Sequence, residues 1–301
     1  MDYAKLEELC RRLDVKFSKD EPLAQYTTMK IGGNCDILVC PDSEEDIAEI
    51  AKLCRIENIP FFVLGRGSNV LVSDKGYRGC IIYTCGSAAH ITVDGTSITA
   101  SAGTSLTAVC KAALENGLTG IEFAYGIPGS VGGALFMNAG AYGGEMKDVV
   151  ASCHYIDENG KLCTMSAEDM DLSYRHSTFS GRNCIITSVT IKLQNGNKNE
   201  IKEKMQELMG RRRDKQPLEY PSCGSTFKRP VGYFAAALIE ECGLKGFTIG
   251  GAQVSEKHSG FVINRDNASC SDVMAVVKEV KRIVFEEKGV ELECEMLILG
   301  E

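Results

Sequence analysis

The sequence predicts an α+β fold, in which helices and strand pairs alternate irregularly along the chain. Two observations favour this class over a doubly wound parallel sheet. Strands joined by tight turns, such as the Asp94-Gly95 turn, stand between the predicted helices. Strands also dominate up to about residue 194, whereas strands and helices mix after it. The pattern breaks at Asn195-Gly196-Asn197, which is therefore the predicted main domain boundary.

Each element is predicted from its apolar periodicity and from the residues that bound it. Ser43 and Asp46 resemble a capping box that opens the first helix, which Pro60 ends. Further helices are predicted over 104–116, 199–213, 233–242 and 271–288, with glycine directly after the first, third and last of these. Strands are predicted over 61–64, 70–72, 80–84, 89–100, 150–157, 161–165, 184–193, 261–264 and 290–299.

The composition is that of an ordinary globular protein. Hydrophobic residues make up 44% and charged residues 25% of the 301, which excludes a disordered or fibrous chain. The net charge of −8 argues against binding to nucleic acid or an anionic membrane. The chain has no run of 18 apolar residues and no secretory signal. We therefore expect a cytoplasmic protein with 14 reduced cysteines, no disulfide framework and no metal site.

Two glycine-rich segments could hold a ligand through their backbones. In residues 65–69, between two short strands, converging N–H groups could bind an anion, although a tight hairpin turn explains the segment equally well. Residues 126–144 contain seven glycines in 19 residues, so backbone can approach a flat ligand closely. Close packing of backbone on backbone would explain one or two of these glycines. Together the segments suit a large dinucleotide, but neither matches a Rossmann or P-loop motif.

Polar residues elsewhere are ambiguous when each is taken alone. Six cations lie within residues 211–229, which suggests a phosphate site, but such runs are more often a solvated helix face. Ser225, between a glycine and a threonine, is typical of a turn, and Arg175 is typical of an exposed loop. A solvent-exposed face of the last strand explains its alternating glutamates, Glu291, Glu293 and Glu295.

Eight segments, taken together and in order, resemble the UDP-N-acetylenolpyruvoylglucosamine reductase family over about residues 27–301. They are residues 26–33, 64–70, 126–133, 137–144, 173–175, 224–228, 238–246 and 250–255. The resemblance implies an FAD-binding domain of the vanillyl-alcohol-oxidase (PCMH) type, with α+β subdomains over 1–75 and 76–196. An α+β substrate-binding domain over 197–301 would follow. The short segment 177–183 implies the shorter, type II form of the family.

The resemblance also implies the cofactor, the co-substrate and the residues that hold the cofactor. FAD is expected to bind non-covalently, and NADPH to serve as co-substrate. The FAD pyrophosphate is assigned to Gly65, Arg66, Gly67, Ser68 and Asn69. The rest of the flavin is assigned to Gly126, Ile127, Pro128, Gly129, Ser130, Gly132, Gly133, Asn138, Ala139 and Gly140.

The implied reaction reduces UDP-N-acetylglucosamine enolpyruvate to UDP-N-acetylmuramate for bacterial peptidoglycan. A hydride passes from flavin N5 to the enolpyruvyl methylene carbon, and Ser225 gives a proton to the α-carbon. Arg175 and a protonated Glu295 are assigned to the enediolate-like intermediate. The diphosphate and a further substrate contact are assigned to Arg212, Lys215, Lys228 and His258.

Two positions depart from the family pattern. Arg229 stands where the family often has asparagine, and Cys294 replaces the proline that usually separates two glutamates. Glu293 therefore competes with Glu295, although the alignment favours Glu295.

Two rival functions use the same glycine-rich segments. A flavoprotein oxidase of the same fold would return its electrons to dioxygen, and it would not need Ser225, Arg175 and Glu295 together. A catalytically silent nucleotide-binding protein would keep the fold alone. For the reductase we expect a small-molecule UDP-sugar as partner, and a monomer is favoured.

Overall fold

The computed structural model describes residues 2–86 and 90–301, and its content of helices and sheets confirms the predicted α+β class. Within those residues the helices are α1 (Ala4–Arg12), α2 (Glu44–Ile56), α3 (Leu106–Glu115), α4 (Val131–Phe136), α5 (Lys198–Lys215), α6 (Ala235–Glu241) and α7 (Cys270–Lys288). The strands are β1 (Lys16–Pro22), β2 (Asn34–Cys40), β3 (Phe61–Leu64), β4 (Val70–Val72), β5 (Tyr77–Tyr83), β6 (Ile91–Asp94), β7 (Ser97–Ser101), β8 (Leu118–Thr119), β9 (Gly140–Ala141), β10 (Gly144–Glu145), β11 (Val150–Ile156), β12 (Leu162–Ser166), β13 (Ile185–Lys192), β14 (Gln194–Asn195), β15 (Thr248–Ile249), β16 (Ala252–Val254), β17 (Val262–Asn264) and β18 (Leu297–Leu299).

Compactness groups the chain into two units, each made of several stretches. The first unit comprises Met1–Lys19, Ile37–Arg66 and Gly79–Arg211. The second comprises Asp20–Asp36, Gly67–Arg78 and Arg212–Glu301. The predicted domains over 1–75, 76–196 and 197–301 are consecutive stretches and follow a different division, so they stay a prediction.

Two hydrophobic cores organise the first unit. An antiparallel sheet of order β12-β11-β13-β7-β6 contributes to one core together with α3 and α4. The other core combines residues of α1 and α2 with the sheet of order β1-β2-β5-β3. In α2 the buried side chains recur at the spacing of one helix face. They are Ile47, Ile50, Ala51 and Cys54.

The second unit is built around α7. Its buried face carries valines at helical spacing, including Val273, Val276 and Val280, and it packs against the antiparallel sheet of order β15-β16-β17. The side chain of Ser269 caps its first turn, and Gly289 ends it in the left-handed conformation with φ of 67°. In the same unit β4 and β18 pair in parallel.

The structure corrects the prediction of a final strand over 290–299. Only Leu297–Leu299 forms a ladder, and before it Phe227 and Cys294 form an isolated antiparallel bridge. The backbone before 297 still buries alternate side chains, since Leu292 and Met296 are buried. The alternating pattern of residues 290–296 therefore indicated an extended backbone correctly. It could not show that these residues have only an isolated bridge in place of a strand ladder.

Two further differences concern the glycine-rich segments. β3 pairs in parallel with β5 and β4 pairs in parallel with β18, so residues 65–69 do not form a hairpin turn. The sequence also gave no sign of α4 inside residues 126–144, because glycine is a weak helix former.

Of the predicted strand 89–100, residue 89 lies outside the described residues, and the rest forms β6 and β7 around the predicted turn. No helix in the described part of the chain has the length and apolar character to span a membrane.

Candidate active site

In the first unit, the residue after β3 lies against the segment that opens α4. A Cβ on Gly65 would collide with Ser130 Oγ, so only glycine allows this approach. Ser130 is 2% exposed, and its Oγ accepts a hydrogen bond from the Gly133 N–H at 3.4 Å. The unit thereby brings together parts of the two glycine-rich segments that the sequence assigned to one cofactor. Arg66 follows as an exposed cation.

Backbone hydrogen bonds fix the start of α4. The Val131 N–H donates to the Thr104 carbonyl and the Gly132 N–H donates to the Ala102 carbonyl, both at 2.8 Å. A Cβ on Gly132 would lie 2.7 Å from Ala102 Cβ, so close packing requires this glycine. Gly133, by contrast, is exposed. A Cβ on Gly133 would lie 3.3 Å from Ser130 Oγ. Among the described residues outside α4, no other atom would come within 4 Å of it.

The chemistry of this surface fits FAD. The exposed backbone at Gly133 carries no side chain, so a flat ring system can lie directly against it. The exposed guanidinium of Arg66 supplies a cation suited to a diphosphate. Of the neighbouring predicted residues, Gly126 and Ile127 are half-buried, Pro128 is exposed, and Gly129 is buried with its carbonyl accepting from the Leu106 N–H at 3.1 Å.

Close packing explains more of the glycines in 126–144 than the sequence analysis allowed. At Gly132, Gly140 and Gly144 an added Cβ would come within 2.6–2.8 Å of another residue. Gly126 and Gly143 are needed for another reason, because each has φ of 91°, which other residues rarely adopt. The expectation that packing explains one or two of the seven was therefore too low.

Asn138 is buried rather than exposed on the flavin-binding segment. It is 1% exposed, and its Nδ2 donates to Glu145 Oε2 at 2.7 Å and to the Ser173 carbonyl at 2.9 Å. Ala139 and Gly140 beside it are half-buried. The predicted contact of Asn138 with FAD would therefore involve its backbone.

Arg175 lies at the tip of a tight turn in the same unit. The Ser173 N–H donates to the His176 carbonyl at 3.2 Å, and the His176 N–H donates to the Ser173 carbonyl at 3.1 Å. Arg175 itself has φ of 56°, in the left-handed region that only a few per cent of non-glycine residues occupy. Its guanidinium carbon lies 5.2 Å from the ring centroid of Tyr174. Asn138 holds this turn through the hydrogen bond from its Nδ2 to the Ser173 carbonyl.

In the second unit, residues 67–69 contact two other segments, one at Thr27 and one at Glu295. Gly67 has φ of 59°, and a Cβ there would lie 2.8 Å from Thr27 Cα. Asn69 Nδ2 donates to the Glu295 carbonyl at 3.1 Å, and the Asn69 carbonyl accepts from the Leu297 N–H at 2.9 Å. Ser68 is half-buried. Asn69 therefore fixes the backbone of the glutamate that the sequence selected.

Thr226 holds Ser225 next to the same glutamate. The Thr226 N–H donates to the Gly260 carbonyl, and the Thr226 carbonyl accepts from the Glu295 N–H, both at 2.8 Å. Thr226 Oγ1 also accepts from the Val262 N–H at 2.9 Å. Ser225 is half-buried, and Gly224 before it has φ of 74°. Sequence reasoning missed Thr226, because a fully buried threonine whose backbone and hydroxyl bond to residues 260–262 and to Glu295 has no local sequence signal.

The structure separates the two candidate glutamates. Glu293 is exposed and its Oε1 forms an ion pair with Lys228 Nζ at 2.5 Å. Glu295 is half-buried, and its Oε2 is inaccessible to solvent. Burial disfavours the ionised form of a carboxyl group, and the predicted role requires a protonated group. These environments support the choice of Glu295.

The two departures from the family pattern have simple structural explanations. Beside the bridge at Cys294, the hydrogen bonds run from the Lys228 N–H to the Glu293 carbonyl and from the Glu295 N–H to the Thr226 carbonyl. Neither uses the N–H of residue 294, so cysteine and proline serve this pairing equally. The exposed Arg229 stacks its guanidinium on Phe234, 3.9 Å from the ring centroid.

The remaining predicted substrate residues differ in exposure. Arg212 is buried at 9% exposure, whereas Lys215, on the same helix, is exposed, so the solvated-face explanation does not hold for Arg212. His258 is half-buried against Phe261, with ring centroids 4.9 Å apart. Its Nδ1 accepts a hydrogen bond from the Gly260 N–H at 3.2 Å.

Comparison with known proteins assigns both parts of the chain to described families. Residues 35–166 match the FAD binding domain family. Residues 216–299 match the C-terminal domain of UDP-N-acetylenolpyruvoylglucosamine reductase. The predicted order of an FAD-binding domain followed by a reductase-specific domain is therefore confirmed.

Full-length relatives agree with these matches. A UDP-N-acetylenolpyruvoylglucosamine reductase of Caldanaerobacter subterraneus is 49% identical over 99% of this chain and 97% of its own length. A protein of the same name from Clostridium perfringens is 50% identical over 93% of this chain and 92% of its own length. Among solved structures, the reductase of Thermus caldophilus is similar with a TM-score of 0.79 and 33% identity, covering 95% of this chain and 99% of that one.

Proposed function

Because the chain belongs to the UDP-N-acetylenolpyruvoylglucosamine reductase family and has an FAD-binding domain, we propose that it reduces UDP-N-acetylglucosamine enolpyruvate to UDP-N-acetylmuramate with NADPH. The product would serve peptidoglycan synthesis. We place the reaction in the cytoplasm, where the free cysteines of the chain remain reduced. The observation that carries the proposal is the backbone hydrogen bond from Glu295 to Thr226, because it joins the segment of the proposed proton donor, Ser225, to the glutamate proposed to bind the substrate carboxylate.

Bound FAD would supply the two-electron chemistry, by taking a hydride from NADPH and giving it to the enolpyruvyl methylene carbon of the substrate. The protein has to manage the negative charge that this addition leaves on the α-carbon and its carboxylate. Preorganised donors aimed at such charge are usually the largest contribution to catalysis. Arg175 is proposed to hold the substrate carboxylate, and its tight turn supports that role because reciprocal hydrogen bonds hold the backbone from which the guanidinium extends.

Ser225 is proposed to protonate the α-carbon, and Glu295 to donate a hydrogen bond to the carboxylate oxygens. The solvent-inaccessible Oε2 of Glu295 supports a neutral carboxyl group. A serine hydroxyl is a weak acid, so the alkoxide that remains needs a nearby cation, for which Lys215 and Lys228 are the candidates. Arg212, Lys215 and Lys228 are proposed to bind the diphosphate, and His258 to contact the substrate, in a monomeric enzyme.

Replacing Ser225 tests the proposal. In Ser225→Ala, NADPH should bleach the flavin at the wild-type rate, because the first half-reaction needs no proton at the α-carbon. Reoxidation by UDP-N-acetylglucosamine enolpyruvate should slow about 100- to 10,000-fold, the usual range for a general acid. Stopped-flow absorbance of the flavin separates the two half-reactions.

A matched control is Ser222→Ala, which keeps the Ser222 carbonyl that accepts from Thr28 Oγ1 at 2.6 Å. Both of its half-reactions should stay near the wild-type rates. Equal slowing of the two half-reactions in Ser225→Ala would refute the assignment of Ser225 as proton donor.

A further inference from the structure

The turn that carries Arg175 is held by two buried side chains, one on each side of the arginine. Asn138 Nδ2 donates to the carbonyl of Ser173, two residues before Arg175, at 2.9 Å. Ser177, two residues after Arg175, donates its Oγ to the carbonyl of Phe136 at 2.7 Å. Both bonds therefore run between residues 173–177 and residues 136–138, the segment that ends α4. We call this pair of bonds the Arg175 bracket.

Each side chain of the bracket is shielded from water. Asn138 is 1% exposed and Ser177 is 0% exposed. Water therefore cannot replace either partner, and losing a buried hydrogen bond leaves the other group unsatisfied. The bracket is consequently a rigid attachment rather than a surface contact.

Asn138 has no side-chain N–H donor left for a ligand. One N–H of its amide goes to Ser173 and the other to Glu145 Oε2 at 2.7 Å, while its Oδ1 accepts from the Lys147 N–H at 2.9 Å. An amide side chain has only two N–H donors. Because the Lys147 N–H can donate only to an oxygen, it also fixes the assignment of Oδ1 and Nδ2 in the Asn138 amide. The side chain therefore positions other residues.

The backbone at Arg175 is what the bracket has to restrain. Arg175 has φ of 56° and Asn138 has φ of 41°, and non-glycine residues keep such conformations only where the surroundings determine them. The reciprocal bonds between Ser173 and His176 close the turn itself. These two bonds do not attach the turn to the rest of the unit. The two bonds of the Arg175 bracket do attach it.

We propose that Ser177 and Asn138 are positioning residues for Arg175, which fix the place and direction of its guanidinium relative to the segment that ends α4. This inference rests on the role proposed for Arg175 at the substrate carboxylate. Neither residue touches the substrate in this account. Sequence analysis did not find Ser177, because a buried serine in a loop resembles any other loop serine.

The test measures the two half-reactions in Ser177→Ala and in Asn138→Gly. Glycine at 138 keeps the left-handed backbone available while removing the amide. Each variant should slow flavin reoxidation by the enolpyruvyl sugar about 10- to 100-fold, since a misplacement of about 1 Å can cost roughly 100-fold. In Ser177→Ala, bleaching by NADPH and the FAD content should match the wild type. Ser180→Ala is the matched control, because it removes a hydroxyl from the same loop, where Ser180 Oγ accepts from the Ser177 N–H at 3.3 Å.

A double-mutant cycle distinguishes this inference from the proposed function. In an Arg175→Ala background, Ser177→Ala should cause no further slowing, because there is no guanidinium left to position. The same slowing in both backgrounds, no slowing in either single variant, or loss of FAD from both variants would overturn the bracket as a positioning device. If Arg175→Ala itself reoxidised at the wild-type rate, the role proposed for Arg175 would fail instead.

Discussion

His258 illustrates how burial sets the chemistry of a single residue. Burial lowers the pKa of His258, and the nearby Lys245 cation adds to the effect, although the backbone and Glu240 act in the opposite direction. The Gly260 N–H donates to its Nδ1, which requires that nitrogen to be unprotonated. The neutral imidazole is therefore the form that the folded protein favours.

This environment predicts a pH-dependent loss of stability. Above the ordinary histidine pKa of about 6.5 both the folded and unfolded states hold a neutral ring, so its contribution is fully present. As the pH falls below that value the unfolded state takes up a proton first, and the free energy of unfolding decreases until the folded pKa is reached. Urea unfolding at pH 7, 6 and 5 should show a loss in the wild type that is smaller in His258→Asn.

Asparagine is the appropriate replacement because its Oδ1 can accept from the Gly260 N–H without titrating. His90→Asn is the control, because His90 is exposed, and its pH profile should follow the wild type. An identical profile for His258→Asn and the wild type would contradict the neutral-ring account.

The sequence proposed residues for the candidate site but could not describe their environments. The motifs around Ser225 and Arg175 singled out both residues as candidates, yet the sequence could not show that Thr226 lies between Ser225 and a backbone hydrogen bond to Glu295. The sequence assigned Asn138 to the flavin and could not show that its side chain is buried. Contacts between residues far apart in the chain decide such environments.

At the scale of elements, the N-terminus of α7 is held by a reciprocal cap. Ser269 Oγ accepts from the Asp272 N–H, and Asp272 Oδ2 accepts from the Ser269 N–H, both at 3.0 Å. Asp272 also accepts from the Gly251 N–H at 3.3 Å. The Ser269 N–H, followed by that of Gly251, lowers the pKa of Asp272.

Removing this cap should destabilise the protein measurably. Ser269→Ala should lower the free energy of unfolding at pH 7 by about 1 kcal/mol, the typical value for a lost N-cap. Because the pKa of Asp272 is lowered in the folded state, its contribution is present above the ordinary aspartate pKa of about 3.9. It is lost as the pH falls through the folded pKa.

Ser269→Asp is the matched control, because aspartate is as good an N-cap as serine. It should keep nearly all of the wild-type stability in urea unfolding. A loss in Ser269→Asp as large as that in Ser269→Ala would show that the cap is not what stabilises α7.

Helix ends were the most predictable elements because their signals are local. Ser43 caps α2 through the Asp46 N–H at 3.0 Å, and Gly117, Gly243 and Gly289, which directly follow three predicted helices, all have positive φ. Strands were less predictable, because a ladder needs a partner distant in sequence. Residues 290–296 show this, since they have a strand-like pattern and only an isolated bridge.

At the scale of the whole molecule, the proposed chemistry draws on residues from both compact units. Arg175 and most of the residues assigned to FAD belong to the first unit, and Ser225 and Glu295 belong to the second. The 14 cysteines are free thiols, and eight of them are buried. Burial raises the pKa of Cys110, Cys153 and Cys223 to about 12, so they pack as small apolar residues rather than react.

In the proposed reaction, electrons pass from NADPH through the flavin to an enolpyruvyl sugar. The most direct measurement reduces the purified holoenzyme with NADPH in the absence of oxygen and then adds UDP-N-acetylglucosamine enolpyruvate. For a reductase we expect prompt return of the oxidised flavin absorbance, with one UDP-N-acetylmuramate formed per flavin. A flavin that stays bleached until air is admitted would contradict the reductase and indicate an oxidase instead.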